Sequence, residues 1–348
     1  MKSTFIGMII YIFLSTTIGF GQNHQLSVKD SISTFYDKFF EKLEAHYIFT
    51  KEVNWNELKP MIKQEALQQD SFKNSLKICS TLFDTINGSH LILFAGEDMY
   101  QGSPKREFTQ EDFSASFLEK YAENSGFEVQ LLYNNYGYIF VPGMLLLNAT
   151  QEELDANTQK IYDAIAELDM AHEIKGWIVD LRLNIGGNSN TMLAGLYHLI
   201  GDHTTGLYLD ANKNVDSRSG LFEGKFYENH KVLTQAKVSL EPTPEIPVAL
   251  LTGIMTNSAG EFVVLGFRGR SNTIVIGEES YGSTTANDLF ELPFNTKAAI
   301  TLSYGTDRKG DYTPTIVPDI SIVKEANFED LGKDKNVLEA IKFIDSKH

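Results

Sequence analysis

The stretch Trp177-Ile-Val-Asp-Leu-Arg-Leu-Asn-Ile-Gly-Gly187 decides the fold. Trp177 to Leu181 is a short, continuous apolar run that reads as a strand, it ends in a polar turn with two adjacent glycines, and a helical pattern resumes from Thr191. The same alternation surrounds it. Upstream, Tyr138-Ile-Phe-Val141 reads as a strand and Gln151 to Leu168 as a helix. Downstream come a strand at Val248-Ala-Leu-Leu-Thr252, a helix from about Ser258 to Phe267, a strand at Thr273-Ile-Val-Ile-Gly277, and further strands near Ala298 to Tyr304. Short apolar strands separated by helices predict an α/β (α+β) domain whose sheet is largely covered.

Outside this core the pattern changes. Ser27 to His46 is rich in helix formers with Ile32, Phe35, Phe39 and Leu43 at helical spacing, and two more helical stretches follow to about Ile86, predicting an N-terminal helical cap over residues 22–130. Between Asn87 and Asn135 the sequence is irregular and polar, with one short strand signal at His90-Leu-Ile-Leu-Phe94. Residues 131–348 form the predicted core, closed by a last helix from Val337 to Ile344.

Composition narrows the functional classes. With 42% hydrophobic and 22% charged residues the 348-residue chain is an ordinary globular protein, and collagenous, coiled-coil or low-complexity readings are excluded. A formal charge of -16 with no basic stripe would repel a polyanion, so no nucleic acid is expected as partner. Met1-Lys2 followed by the apolar run from Phe5 to Phe20 predicts a signal peptide over residues 1–21, cleaved before Gln22, and therefore an exported protein, periplasmic or secreted, with no stable membrane span afterwards; an uncleaved membrane anchor is the alternative. The lone Cys79 sits at a core-facing position of a helical pattern and reads as an inert buried thiol. No cofactor and no metal is expected.

Three segments carry chemistry. In Asp180-Leu-Arg-Leu-Asn-Ile-Gly-Gly187 two glycines at a strand-to-helix turn permit positive φ and expose amides that could face a developing oxyanion. A tight turn in which Asp180, Arg182 and Asn184 tie down loops is the equal alternative. In Val248-Ala-Leu-Leu-Thr-Gly-Ile-Met-Thr-Asn-Ser-Ala-Gly-Glu261, Ser258 opens a helix, which suits either an ordinary N-cap or a nucleophile whose following amide, on Ala259, faces the same oxyanion. In Asp84-Thr-Ile-Asn-Gly-Ser-His-Leu-Ile-Leu93, a turn presents Ser89-His90 ahead of a strand; alone it reads as surface or capping.

Together and in this order, the segments resemble the tail-specific peptidase family, which includes the C-terminal processing proteases and the tricorn protease. The family pattern Asp-x-Arg-x-Asn-x-Gly-Gly is matched by Asp180 to Gly187, its Ser-Ala-x-Glu helix by Ser258 to Glu261, its Gly-Glu-x-x-x-Gly loop by Gly277-Glu278 and Gly282, and its Val-x-Pro-Asp by Ile316-Val-Pro-Asp319. The resemblance spans roughly residues 75 to 322 and implies a ClpP/crotonase-like β-superhelix core acting as a serine-type endopeptidase on peptides or proteins.

Two departures shape the expected site. The processing branch places its lysine base where this chain has Ser283, so that Ser-Lys dyad is absent. The tricorn-like branch instead pairs its serine with a Ser-His turn, which implies His90 as base and Ser89 as its orienter. That branch also has a glutamate before the Pro-Asp element; none lies between Asp307 and Thr315, and Asp311, the nearest carboxylate, reads either as an orienter of the histidine or, equally well or better, as a solvated loop residue. The segment between His90 and Gly137 is too short for the family's PDZ domain. The expected mechanism is acyl transfer: Ser258 attacks, His90 takes its proton, and amides of Gly186 or Gly187 and Ala259 hold the oxyanion. An ordinary imidazole predicts activity rising through a pKa near 6.5. The alternative is a catalytically inactive relative that binds a peptide or apolar ligand in the same cleft. Thioester chemistry on the related crotonase fold is a weaker one, since export separates the chain from the coenzyme it would need.

Overall fold

The computed structural model describes residues 26–348. The expected signal peptide lies outside them.

The cap is built from α1 (Val28–His46), α2 (Trp55–Leu67), α3 (Phe72–Ser75) and α4 (Ile78–Thr85). Ser27 caps α1 by accepting the Asp30 amide, and the apolar face expected from spacing (Ile32, Phe35, Phe39, Leu43) is buried, each side chain at 0% exposure. This face packs with Ile62, Cys79, Leu82 and Leu91, and also with Leu93, Ala298 and Ile300 of a sheet described below, so the cap shares a core with it. Cys79 is buried beside the Tyr36 hydroxyl, 3.5 Å away, and burial pushes its thiol up to about 12, as befits an inert group.

A polar turn leads from α4 into β1 (Ile92–Ala95) and β2 (Asp98–Gln101), after which α5 (Ala115–Glu123) and β3 (Glu128–Leu132) run up to the core. The core alternates as the sequence predicts: β4 (Tyr136–Phe140), α6 (Gln151–Ala171), β5 (Gly176–Asp180), α7 (Ser189–Gly195), α8 (Tyr197–Ile200). Four strands that periodicity did not single out follow, β6 (His203–Leu209), β7 (Val215–Phe222), β8 (Lys225–Glu228) and β9 (Lys231–Gln235). Then come β10 (Val248–Thr252), α9 (Ala259–Phe267), β11 (Thr273–Gly277), β12 (Thr285–Leu292), β13 (Thr296–Gly305), β14 (Ile320–Ser321) and α10 (Lys335–Asp345).

Two sheets result. One has the order β14-β11-β10-β5-β4-β3, parallel throughout except for β3, which runs antiparallel to β4. Its central strands β4, β5 and β10 are buried at every position, which explains why they appear as continuous apolar runs rather than alternating ones. Trp177 is fully buried against Gly137, where an added Cβ would lie 2.2 Å from the indole ring. The second sheet has the order β2-β1-β13-β6-β7-β8-β9, with β12 also on β13. Its pairs are antiparallel, and it carries the cap on β1 and β13. No helix among the described residues is long and apolar enough to cross a membrane.

The parallel sheet fixes the place of chemistry. β5 and β10 are adjacent and parallel, so their C-terminal ends emerge side by side, one into the 181–187 turn and the other into the 253–258 bend. β12 and the turn before β1 reach the same point from the second sheet.

Candidate active site

Ser258 is the residue before α9 and has φ 49° and ψ -112°, a backbone conformation that non-glycine residues rarely adopt. Glu261, one turn into the helix, holds it there. The Glu261 carboxylate accepts the Ser258 amide at 2.9 Å, the Gly282 amide at 2.9 Å, the Ser283 amide at 2.7 Å and the Ser280 hydroxyl. It is fully buried, and burial pushes its pKa up against the four donors that favour its charge. Ser283, in the position of the processing branch's lysine, is itself buried and contributes its backbone to this cradle.

The histidine comes from the cap side. Asn87 at φ 54° and the hydrogen bonds from the Gly88 amide to Phe83 and from the Leu91 amide to Gly88 shape a tight turn that swings His90 across to α9. Its Nε2 lies 3.1 Å from Ser258 Oγ and its Nδ1 lies 2.8 Å from Thr285 Oγ1. The His90 carbonyl is fixed by Asn287 Nδ2 at 2.6 Å, and Asn287 is oriented in turn by the Thr301 hydroxyl. Burial lowers the imidazole pKa to about 4, and the Lys105 ammonium adds to the effect, so the ring is neutral near pH 7. The expectation of an ordinary titration near 6.5 is thus corrected by the ring's enclosure between the cap, β12 and α9.

The glycine turn completes the arrangement. Gly186 (φ 114°) and Gly187 (φ 120°) use the conformational freedom that the sequence suggested. A Cβ on Gly186 would stand 3.1 Å from Ser258 Cβ, so this backbone lies against the serine; a Cβ on Gly187 would collide with the Met144 carbonyl at 2.1 Å. The two glycines differ as donors. The Gly186 amide donates to Asn184 Oδ1 at 3.1 Å, whereas the Gly187 and Ala259 amides have no hydrogen-bond acceptor among the described residues.

Asp180 and Arg182 serve the alternative reading of the same motif. Arg182 is buried, forks onto Asp180 and reaches Asp334 at 2.7 Å, while the Tyr138 hydroxyl donates to Asp180. Asn184 donates from Nδ2 to the Val141 and Pro142 carbonyls. One motif thus contains scaffold residues and site residues side by side.

Ser89 is partly buried beside His90, and its hydroxyl makes no hydrogen bond among the described residues. Asp311 is exposed; its backbone bonds to Asp307, and its carboxylate makes no hydrogen bond to His90 or Thr285. The hydrogen-bond partner of His90 Nδ1 is instead Thr285, which sequence reasoning missed. The only signal was its place two residues beyond the absent lysine, in Gly282-Ser-Thr-Thr285. No group of three or more His, Cys, Asp or Glu side chains among the described residues is arranged to hold a metal ion.

A protein-family model, that of peptidase family S41, matches residues 135–322. The nisin-resistance protein of Lactococcus lactis subsp. lactis is 25% identical over 286 residues, 78% of this chain and 78% of that protein. Among solved structures, a lipoprotein from Streptococcus agalactiae matches with a TM-score of 0.67 at 20% identity, over 91% of this chain and 97% of that one. A photosystem II D1 C-terminal processing protease matches with a TM-score of 0.51 at 11% identity, over 87% of this chain and 96% of that one. These likenesses bear out the fold class read from the sequence, a ClpP/crotonase-like core with an N-terminal helical cap.

Proposed function

Because the chain belongs to peptidase family S41, a family of serine peptidases, we propose that it hydrolyses peptide bonds through an acyl-enzyme on Ser258 with His90 as general base. The observation that carries the proposal is the 3.1 Å separation of His90 Nε2 from Ser258 Oγ, a hydrogen-bond distance across 168 residues of sequence. Neutral His90, with its proton on Nδ1 donated to Thr285 Oγ1, presents the Nε2 lone pair to the serine hydroxyl. As Oγ attacks the carbonyl carbon, the proton moves to Nε2, and the Gly187 and Ala259 amides receive the oxyanion. The imidazolium then gives its proton to the leaving amine, and water repeats the sequence to free the acyl group.

Thr285 holds the ring as a neutral partner, which supports the orienting part of a triad without a carboxylate to stabilise the imidazolium. Peptides or proteins outside the cell are the proposed substrates, with the protein exported to the periplasm or secreted. Nisin is a first candidate, because the Lactococcus lactis relative is named for resistance to it.

Among the described residues no carboxylate is hydrogen-bonded to the His90 ring, which favours a second reading, an inactive relative that binds a peptide in the cleft. A fluorophosphonate probe separates the two. The proposal expects covalent labelling of the folded wild type that is lost in Ser258→Ala and reduced about 10²-fold or more in rate in His90→Ala. No labelling of folded wild-type protein would leave the binding role as the better account.

A further inference from the structure

The cap holds a cavity whose lining includes none of the residues placed at the active site. It has a volume of about 340 Å³ and lies between residues 52–54, the first two turns of α2 and the end of α4. A space of that size takes one or two side chains of a peptide together with their backbone. Its apolar lining comes from Val53, Leu58 and Ile86, the last two buried in the core of the cap, and from Met61, half of whose surface is exposed.

The polar lining is not used by the fold. Glu52, Asn54, Glu57 and Asn87 border the same space, and none of their side chains takes part in a hydrogen bond or an ion pair among the described residues. Asn54 stands at the capping position of α2 and caps nothing, and Lys59 of α2 is paired with Glu44 instead. Two exposed glutamates alone are an ordinary solvated surface. Here they border an apolar recess lined by no lysine or arginine, which suits a side chain with an apolar stem and a cationic end: methylenes on Leu58 and Ile86, charge towards the two carboxylates.

The position of the cavity ties it to the serine. Asn87, part of its wall, opens the turn that presents His90; three residues span at most about 10–11 Å, and His90 Nε2 is 3.1 Å from Ser258 Oγ. An extended peptide of about six residues covers the whole distance. Glu52 faces the same side of the sheet: burial, Tyr312 and then the Glu52 carboxylate push up the Tyr304 hydroxyl, and Tyr304 stands opposite Thr285, the partner of His90, in the β12–β13 register.

We propose that this cavity is a binding site for a lysine or arginine side chain of the peptide held at Ser258, within about six residues of the bond to be cleaved. The inference rests on the peptidase reading of Ser258 and His90, and a binding measurement keeps the two apart. Fluorescein-labelled peptides of one alanine–serine sequence, carrying a single lysine, arginine or norleucine, are titrated into Ser258→Ala protein and followed by anisotropy. Norleucine keeps the stem, so the ratio of affinities reads the charge. The lysine and arginine forms are expected to bind about fivefold or more tightly than the norleucine form at low salt, with the ratio falling at high salt. The double variant Glu52→Gln/Glu57→Gln, and Met61→Lys, which puts a competing ammonium beside the two acids, each bring the ratio to about one. In the wild type, internally quenched versions of the peptides are expected to show a lower KM with kcat little changed when the lysine lies within reach of the cavity, and no effect when it lies further away. Equal binding of the three peptides, no binding of the lysine form, a preference that survives in both variants, or a KM effect independent of the lysine's position overturns the inference; fluorophosphonate labelling of the wild type then leaves the peptidase reading standing. A charge preference lost in both variants, in a wild type that the fluorophosphonate does not label, upholds the cavity and removes the hydrolysis.

Discussion

The substitution Glu261→Gln tests the claim that a buried carboxylate, rather than the helix alone, holds Ser258 in its strained conformation. In the wild type one carboxylate oxygen accepts from the Ser258 and Ser283 amides and the other from the Gly282 amide and the Ser280 hydroxyl. Glutamine has one acceptor oxygen and turns an NH₂ towards the other pair. With its oxygen towards Ser258 and Ser283, the Ser280 hydroxyl can rotate to accept from the NH₂, but the Gly282 amide is left facing another donor. In the reverse orientation two backbone amides are orphaned, so the first is preferred. One buried amide without an acceptor costs about 1–3 kcal/mol. For a chain of this length that corresponds to a fall of about 1–4 °C in Tm. Because Gly282 and Ser283 lie in the cradle beneath Ser258, the proposed nucleophile, the same energy expressed in the transition state is about 5–150-fold in kcat/KM. Calorimetry and peptide-hydrolysis kinetics on the two proteins decide it. A variant with unchanged Tm and unchanged kcat/KM would refute the role given to the four-donor cradle.

The pH profile of kcat/KM should be flat from neutrality down to about pH 5 and fall as His90 is protonated through about 4; a midpoint near 6.5 would mean that the ring is not enclosed as described. Unfolded chains hold that proton at the ordinary value of 6.5, so stability contributed by neutral His90 is present above 6.5 and lost as pH falls towards 4, a dependence that denaturant titrations of His90→Asn should lack. Thr285→Val removes the hydrogen-bond partner of Nδ1 and should lower kcat about tenfold with KM little changed, whereas Asp311→Asn, at an exposed position, should stay within about twofold of wild type. The reverse ranking would show that the carboxylate, not the threonine, orients the base.

The contrast between Thr285 and Asp311 shows what the sequence could and could not disclose. β4, β5, β10 and α9 were legible because each is buried on all sides or capped, and burial prints a continuous apolar run on the sequence. β6 to β9 were not, since antiparallel strands with one face towards solvent mix polar residues such as those of Val215–Phe222, which alternate between exposed and buried. Gly186 and Gly187 could be read because two adjacent glycines at a strand end match the need of a tight turn for positive φ. Their difference as donors could not, because it depends on the side chain of Asn184, two residues before Gly186, turning back onto that amide. Thr285 was hidden for a similar reason. A hydroxyl has no sequence signature as an orienter until β12 is paired with β13, and that pairing, with Asn287 fixed on Thr301, is what carries it to His90.

A chain without the lysine of the processing branch still brings an imidazole to its serine, and the two sheets explain how. The Ser283 amide is bonded to Glu261, and the imidazole beside Ser258 comes from outside the parallel sheet. The cap supplies it because α1 to α4 and the 87–90 turn share a core with β1 and β13, and β13 in turn anchors β12. His90 and Thr285 therefore sit on two segments tied to one sheet, and the ring is held between them rather than presented on a free loop. Weakening that cap should loosen the 3.1 Å contact before it unfolds the parallel core, because Ser258, Glu261 and the glycine turn belong to the other sheet.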